Sequence, residues 1–123
     1  MKVIHTTKAP AAIGPYSQAT VRGGTLYTSM QIGIDPSTSK MVEGFDAQTE
    51  QVMHNLRNIL EQAGLGFGRV LRSTVYLSDL TNYEAFNEVY KRYFVEGPPA
   101  REVFEVSRLP LDAMVGVSVI ASS

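Results

Sequence analysis

The stretch that decides the fold is Pro98-Pro-Ala-Arg-Glu-Val-Phe-Glu-Val-Ser-Arg-Leu-Pro110. Its side chains alternate between two faces, with Arg101 and Val103 together on one of them. A period of two bounded by prolines predicts a strand. The guanidinium of Arg101, just after a rigid Pro-Pro turn, is placed to hold a carboxylate by two parallel hydrogen bonds. A strand-end arginine in water or in a structural ion pair is the alternative interpretation of the same side chain.

Two helices and a strand precede this stretch. Apolar residues at helical spacing predict a helix over residues 46–63, with Asp46 in its first turn and Gly64 closing it. Residues 70–77 predict a strand in which Leu71, Val75 and Leu77 share a face. Thr81 and Glu84 predict a capping box that starts a second helix, which runs to about residue 94. We interpret the aromatic residues of that helix as core.

The remaining segments predict further strands. Residues 3–5 form a short candidate, and residues 17–21 and 25–32 flank Gly23-Gly24, which predicts a tight hairpin. Residues 35–39 predict a turn, and residues 113–121 predict a last strand that is apolar on both faces. The order is β-β-β-α-β-α-β-β, an α+β fold with two helices on one face of a mixed sheet. We expect the uncovered face to pack on another subunit.

Length and composition narrow the function. The 123 residues fit a single domain, 1–123, with 44% hydrophobic residues and a net charge of -1. This charge balance disfavours nucleic acid as a partner. Without cysteine, and with His5 and His54 far apart, no metal site is expected. No long apolar run is present, so we expect no membrane segment and a cytoplasmic protein.

Several motifs, in matching order and spacing, carry a family resemblance over essentially the whole chain. They are Ala9-Pro-Ala-Ala-Ile-Gly-Pro-Tyr-Ser-Gln18, Thr28-Ser-Met-Gln-Ile32, Val75-Tyr-Leu-Ser-Asp-Leu80, Phe86-Asn-Glu-Val-Tyr90, Pro99-Ala-Arg101 and Arg108-Leu-Pro110. In these motifs the chain resembles the Rid family, also called YjgF or the reactive intermediate deaminases.

The resemblance implies a chorismate-mutase-like α+β fold and a homotrimer around a central barrel, with active sites in clefts between subunits. It implies hydrolysis of 2-imino acids to 2-keto acids and ammonia, without a cofactor. By position, Arg101 resembles the family arginine that binds the substrate carboxylate. Tyr16, Ser29 and Asn87 resemble a tyrosine, a serine and an asparagine of the site. Arg101, Tyr16 and Ser29 are therefore the candidate catalytic residues.

Three further positions of the expected substrate site depart from the family pattern. Met30 stands where the family's Ser-Gly-Gln motif has glycine, and Val103 replaces a frequent cysteine. Gly116, fifteen residues after Arg101, stands where deaminating members carry the glutamate that positions the attacking water. A general base contributes about 10² to 10⁴ in rate, and no nearby carboxylate takes its place in the sequence.

Three functions remain open from the sequence. The first is an imine deaminase of reduced or altered specificity, with Arg101 as carboxylate clamp. The second is a non-catalytic member that binds a small carboxylate metabolite in the same cleft, reshaped by Met30. The third is an endoribonuclease, translation-inhibitor or chaperone-like role, as described for some family members, although the charge balance disfavours the nuclease.

Overall fold

The computed structural model describes residues 1–123. The helices are α1 (Phe45–Gln62) and α2 (Tyr83–Tyr90). The strands are β1 (Lys2–Ile4), β2 (Ala19–Arg22), β3 (Thr25–Thr28), β4 (Gln31–Ile32), β5 (Ile34–Asp35), β6 (Lys40–Met41), β7 (Val70–Leu77), β8 (Ala100–Glu105) and β9 (Val115–Ser122). Single 3-10 turns occupy Phe67–Arg69, Leu80–Asn82, Lys91–Tyr93 and Pro110–Asp112.

One mixed sheet holds seven of the strands, in the order β1-β2-β3-β9-β7-β8, with β4 also paired to β9. Only β7 and β8 run parallel, and α2 lies in the connection between them. The two remaining strands, β5 and β6, form a separate small hairpin. The predicted α+β fold with a mixed sheet is confirmed. Strand β9 occupies the middle of the sheet, and β8, which carries Arg101, lies at one edge.

The hydrophobic core lies between one face of the sheet and the two helices. Val75 on β7 and its β9 partner Val117 are completely buried, as are Val52 and Leu56 of α1 and Phe86 of α2. Burying one such side chain contributes roughly 1.5 to 3 kcal/mol to folding. Both helices therefore pack on the same face, which fixes that face as the inner one.

The opposite face of the sheet has no helix over it. Residues between the core positions point there, among them Tyr76 on β7 and its partners Gly116 on β9 and Phe104 on β8. Phe104 is 48% exposed, and Tyr27 on β3 is 50% exposed. The open face therefore presents aromatic side chains that this chain does not cover. Neither helix has the length and apolar character that crossing a lipid bilayer requires.

The prediction for Leu71 is wrong, although the predicted limits of β7 are confirmed. A β-bulge shifts the pairing between Val70 and Arg72, so that Leu71 is 54% exposed and Ser73 takes a buried position instead. A bulge adds one residue to a strand and reverses the alternation on one side of it. The pattern beyond the bulge, from Ser73 onward, keeps Val75 and Leu77 on the inner face as predicted.

The predicted capping box at Thr81 and Glu84 is also wrong. A 3-10 turn precedes α2, which therefore begins at Tyr83, and the Asp79 carboxylate accepts a hydrogen bond from the Thr81 backbone N–H at 2.9 Å. This hydrogen bond lowers the pKa of Asp79 below its usual value. The first helix agrees with the prediction, and Gly64 follows it with a positive φ of 76°.

The predicted strand over residues 25–32 is interrupted. Its two parts, β3 and β4, both pair with β9, and Ser29 and Met30 between them lie outside the ladder. The Gly23-Gly24 hairpin between β2 and β3 is confirmed, with positive φ at both glycines. The interruption matters for function because it takes Ser29 and Met30 out of regular pairing at the rim of the sheet.

A close approach between Gly33 and α1 predicts a stability effect. A Cβ added at Gly33 would lie 2.8 Å from the Cα of Gln48, and backbone in a packed helix cannot swing aside. We expect Gly33→Ala to lower the free energy of unfolding by about 1 to 3 kcal/mol in a urea titration. The matched control is Gly66→Ala, because a Cβ there meets nothing within 4 Å. Equal losses in both variants would contradict the proposed clash.

Candidate active site

The Arg101 guanidinium lies against three aromatic rings of α2. Its central carbon is 4.9 Å from the ring centre of Tyr90, 5.5 Å from that of Tyr83 and 5.7 Å from that of Phe86. One of its nitrogens donates a hydrogen bond to the Tyr83 hydroxyl at 3.1 Å. These residues recur on one side of α2 at helical spacing, and cation–π attraction to their faces holds the guanidinium in place. We call Tyr83, Phe86 and Tyr90 the aromatic cradle.

No carboxylate pairs with Arg101. The two ion pairs of the chain are Lys91 with Glu88 and Arg108 with Asp112, and both are on the surface. The chain itself therefore supplies no ion-pair partner for Arg101. A half-buried guanidinium with donors unused by the protein is suited to bind an anion from outside it.

The cradle is itself fixed by a buried hydrogen bond. The Tyr90 hydroxyl donates to Ser73 Oγ at 2.9 Å, which links α2 to β7 beneath Arg101. Burial raises the pKa of Tyr90, while the Ser73 hydrogen bond and the Arg101 charge oppose that rise. Tyr90 therefore stays a neutral phenol near pH 7 and is not available as a base.

Asn87 and Val103 lie beside this group. Asn87 shares the helix face of Tyr83 and Tyr90, and its Oδ1 is buried without a hydrogen-bond donor. A buried acceptor left unpaired is uncommon and marks Asn87 as a position able to accept a hydrogen bond from a ligand or partner. Val103 follows Arg101 on the inner face of β8, half-buried against the core.

Tyr16, Ser29 and Met30 meet elsewhere, around a cavity of about 370 Å³. The Ser29 hydroxyl donates to the backbone carbonyl of Ser17 at 2.6 Å, so its proton is used and its oxygen remains able to accept a hydrogen bond. The Tyr16 hydroxyl accepts a long hydrogen bond of 3.4 Å from the Ile13 N–H and keeps its own proton to donate. Both hydroxyls can therefore orient a water, and neither is a strong base near pH 7.

Met30 occupies the space above Gly116. A Cβ built on Gly116 would lie 2.7 Å from Sδ and 3.0 Å from Cγ of Met30, and 3.5 Å from Cγ2 of Ile32. Carbon atoms in contact normally lie about 3.5 to 4.0 Å apart, so a side chain at position 116 would require the Met30 side chain to move. The two departures from the family pattern thus touch each other in the fold.

The predicted site residues form two separate groups within one chain. Strand pairing aligns Arg101 with Ser73 and Val119 on the inner face, whereas Gly116 aligns with Tyr76 on the open face. From strand spacing and rise, the Cα atoms of Arg101 and Gly116 are roughly 14 Å apart. A single small substrate cannot span that distance through the sheet.

Two parts of this geometry were not predicted from the sequence. The aromatic residues of α2 were expected in the core, which holds for Phe86 and Tyr90, but their recurrence on one helix side also creates the cradle. The apolar lining of the cavity was not predicted, because no local pattern links its members. These are Ile13, Ile32, Ile34 and Pro110. No group of three or more His, Cys, Asp and Glu side chains is placed to hold a metal ion.

The fold and site define a class of protein: an α+β chain with two helices on one face of a mixed sheet and an unpaired arginine on its edge strand. The sequence profile described as Endoribonuclease L-PSP matches residues 6–123. The chain belongs to this family, which is the Rid or YjgF family named by its structural neighbours.

Relatives align along nearly the whole chain. The chain is 46% identical to a 2-iminobutanoate/2-iminopropanoate deaminase of Mus musculus over 121 residues, which covers 98% of this chain and 90% of the relative. It is similar to the crystal structure of RidA from an Antarctic Psychrobacter, with a TM-score of 0.98, 41% identity and 100% coverage of both chains. It also matches E. coli TdcF with bound serine, with a TM-score of 0.97, 36% identity and coverage of 100% and 99%.

Proposed function

We propose that this protein hydrolyses 2-imino acids to 2-keto acids and ammonia, with Arg101 as the carboxylate clamp. The observation that carries the proposal is the half-buried Arg101 guanidinium, which the aromatic cradle holds and no carboxylate neutralises. The names of the mouse relative and of TdcF with bound serine support a small amino-acid-like ligand. A 2-imino acid offers Arg101 its carboxylate beside a reactive C=N group.

The reaction needs modest help from the protein. Water adds to C2 of the protonated imine, the C–N bond breaks, ammonia leaves with a proton, and the former water oxygen becomes the keto oxygen. Binding the carboxylate bidentately orients C2 for attack. The hydroxyls of Tyr16 and Ser29 are suited to hold the attacking water. Because Gly116 supplies no base, we expect turnover to fall below that of a site with one by about 10² to 10⁴.

A second function is favoured by the contact between Met30 and Gly116. The thioether fills the space where a carboxylate side chain would stand, so the same cleft would bind a small carboxylate without turning it over. Both functions need Arg101 to bind the carboxylate, and only the first includes hydrolysis of the bound molecule. A catalytic assay therefore separates them, whereas a binding assay alone does not.

The test is trapping with semicarbazide. The 2-imino acids of alanine and 2-aminobutanoate are generated in solution, and loss of the semicarbazone signal is followed with and without the protein. We expect the protein to lower the signal in proportion to its concentration, above a heat-inactivated control. Equal signals with native and heat-inactivated protein, together with calorimetric binding of the keto acids, would assign the non-catalytic function instead.

The complete site is proposed to form between two copies, in a homotrimer. Within one chain, Arg101 lies on the inner face and the Met30 cavity at the open face, so they cannot share one substrate. The exposed aromatic residues Tyr27 and Phe104 give the open face an apolar surface for a second copy. A second copy whose edge strand β8 lay beside this cavity would place its own Arg101 within reach of it.

Mixing two inactive variants tests the shared site. Arg101→Ala removes the clamp, and Met30→Trp fills the cavity, so each variant alone should be inactive. When both are unfolded together and refolded at equal amounts, we expect about a quarter of wild-type activity, because random neighbours combine an intact clamp with an intact cavity at one interface in four. The readout is the trapping assay.

The control is the two variants refolded separately and combined immediately before the assay, so that each assembly contains a single variant and should be inactive. Activity that stays at the level of the single variants after refolding would contradict a site shared between copies. Size-exclusion chromatography with light scattering, run on the same samples, reports whether they assemble as trimers.

A further inference from the structure

We propose that Met30 and Gly116 act as one unit that selects 2-imino acids with a large apolar side chain. This inference rests on the proposed deaminase function and names its substrate class. The Met30 side chain lies over Gly116, in the space that a side chain at position 116 would need. The wall of the cavity at this point is therefore an uncharged thioether.

The geometry makes the two positions depend on each other. A Cβ at position 116 would lie 2.7 Å from Met30 Sδ, which is closer than real contacts allow, but that sulfur is the flexible end of a long side chain. Any residue larger than glycine at position 116 must therefore push the Met30 side chain away. The space open to it is the cavity that Met30 lines, so such a substitution narrows the cavity.

The surroundings of Met30 match an apolar ligand group. Ile13, Ile32, Ile34 and Pro110 line the same cavity, and the polar residues of its lining are Tyr16, Ser29 and Gln31. The cavity volume of about 370 Å³ lies at the lower end of the range for small-molecule sites, about 300 to 1,000 Å³. A substrate whose carboxylate is held by Arg101 of a second copy would direct its side chain into this space.

Selectivity follows from what fills the cavity. A branched aliphatic side chain displaces water from an apolar wall, whereas the methyl group of the alanine-derived imine leaves most of the wall wet. One methylene in an apolar pocket changes kcat/KM by about 10- to 200-fold. We expect the leucine-derived imine to be hydrolysed with a kcat/KM at least about tenfold above that of the alanine-derived imine.

The experiment compares the imines of alanine and leucine, generated by an amino-acid oxidase with catalase and trapped with semicarbazide. Gly116→Ala should lower hydrolysis of the leucine imine more than that of the alanine imine, since the displaced Met30 narrows the cavity. Met30→Ala enlarges the cavity and should therefore reduce the preference for the leucine imine. In the double variant Met30→Ala/Gly116→Ala, the alanine at position 116 should have little additional effect, which is the non-additivity expected of two residues in contact.

Calorimetry measures the binding affinities of two unreactive keto acids, pyruvate and 4-methyl-2-oxopentanoate. These carry the side chains of the alanine and leucine imines, so the side-chain preference is measured without a reaction. Equal hydrolysis of both imines by the wild type would overturn the inference and leave the proposed function standing. Effects that simply add in the double variant would overturn the claim that the two residues act as a unit. Hydrolysis of neither imine, with tighter binding of the larger keto acid, would reject the deaminase and support the selectivity. If the wild type hydrolyses neither imine and binds the two keto acids equally, both the proposed deaminase function and the proposed selectivity are rejected.

Discussion

Replacing Arg101 with alanine is expected to lower kcat/KM for 2-imino acid hydrolysis by about 10²- to 10⁴-fold, since a hydrogen bond to a charged group contributes about 1.5 to 3 kcal/mol and the clamp provides two. Most of this loss in kcat/KM should come from weaker substrate binding and not from a lower free energy of unfolding. The Arg101 side chain is half-buried at the edge of the sheet and carries no ion pair whose partner would be left uncompensated. The trapping assay measures the loss, and circular dichroism checks the fold.

Two further arginine variants sharpen this result. Arg101→Lys keeps the charge but loses the planar pair of donors, so it should recover part of the activity and remain at least about tenfold below wild type. Arg69→Ala is the matched control, because Arg69 is exposed on the turn before β7 and touches none of the site residues named above. Wild-type activity in Arg101→Ala would reject the carboxylate clamp.

Replacing Phe86 with alanine is expected to lower the free energy of unfolding by about 3 to 5 kcal/mol, the usual cost of removing a buried aromatic side chain. Phe86 is completely buried, packs against the Tyr90 ring with centres 5.2 Å apart, and lies beneath Arg101. Its removal leaves a cavity where α2 meets the sheet. Urea titration at one fixed protein concentration measures the effect, since assembly makes apparent stability depend on concentration.

Phe86→Leu separates the loss of volume from the loss of the ring. Leucine retains most of the apolar contact, so its stability loss should be less than half that of alanine, while the guanidinium loses one of its three aromatic faces in both variants. A loss below about 1 kcal/mol for Phe86→Ala would contradict its position in the core.

Local periodicity was enough to predict the elements with strong patterns. The predicted and observed limits of β7 are identical, and α1 differs by one residue at each end. In α1 the central apolar residues Val52, Leu56, Ile59 and Leu60 are buried, and in β7 Val75 and Leu77 are buried while Leu71 is not. Of the site residues that the motif resemblance implies, the structure places Tyr16, Ser29 and Met30 around one cavity and leaves Arg101 in a separate group. Their proposed roles in binding and catalysis remain predictions.

Features that depend on pairing between distant segments could not be predicted. The bulge at Leu71 arises from how β7 pairs with β9, and nothing in the local alternation marks it. The contact of Met30 with Gly116 arises because the break between β3 and β4 lies beside β9. Arg101 and Gly116 lie on opposite faces because of the pairing register of β7, β8 and β9, which local sequence patterns do not show. The sequence shows which residues are present, and the strand register determines which of them are in contact.

The central position of β9 also has a consequence for biosynthesis. In the sheet it separates β3 and β4 on one side from β7 on the other, yet it follows all of them in the chain. While the ribosome is still translating the segment before β9, the earlier strands have no common neighbour, and Val75 and Leu26 lack their partners in the core. Such pairings between distant segments form slowly and leave apolar edges exposed in the meantime. The nascent chain therefore completes its sheet only after β9 has emerged, in a late and cooperative step.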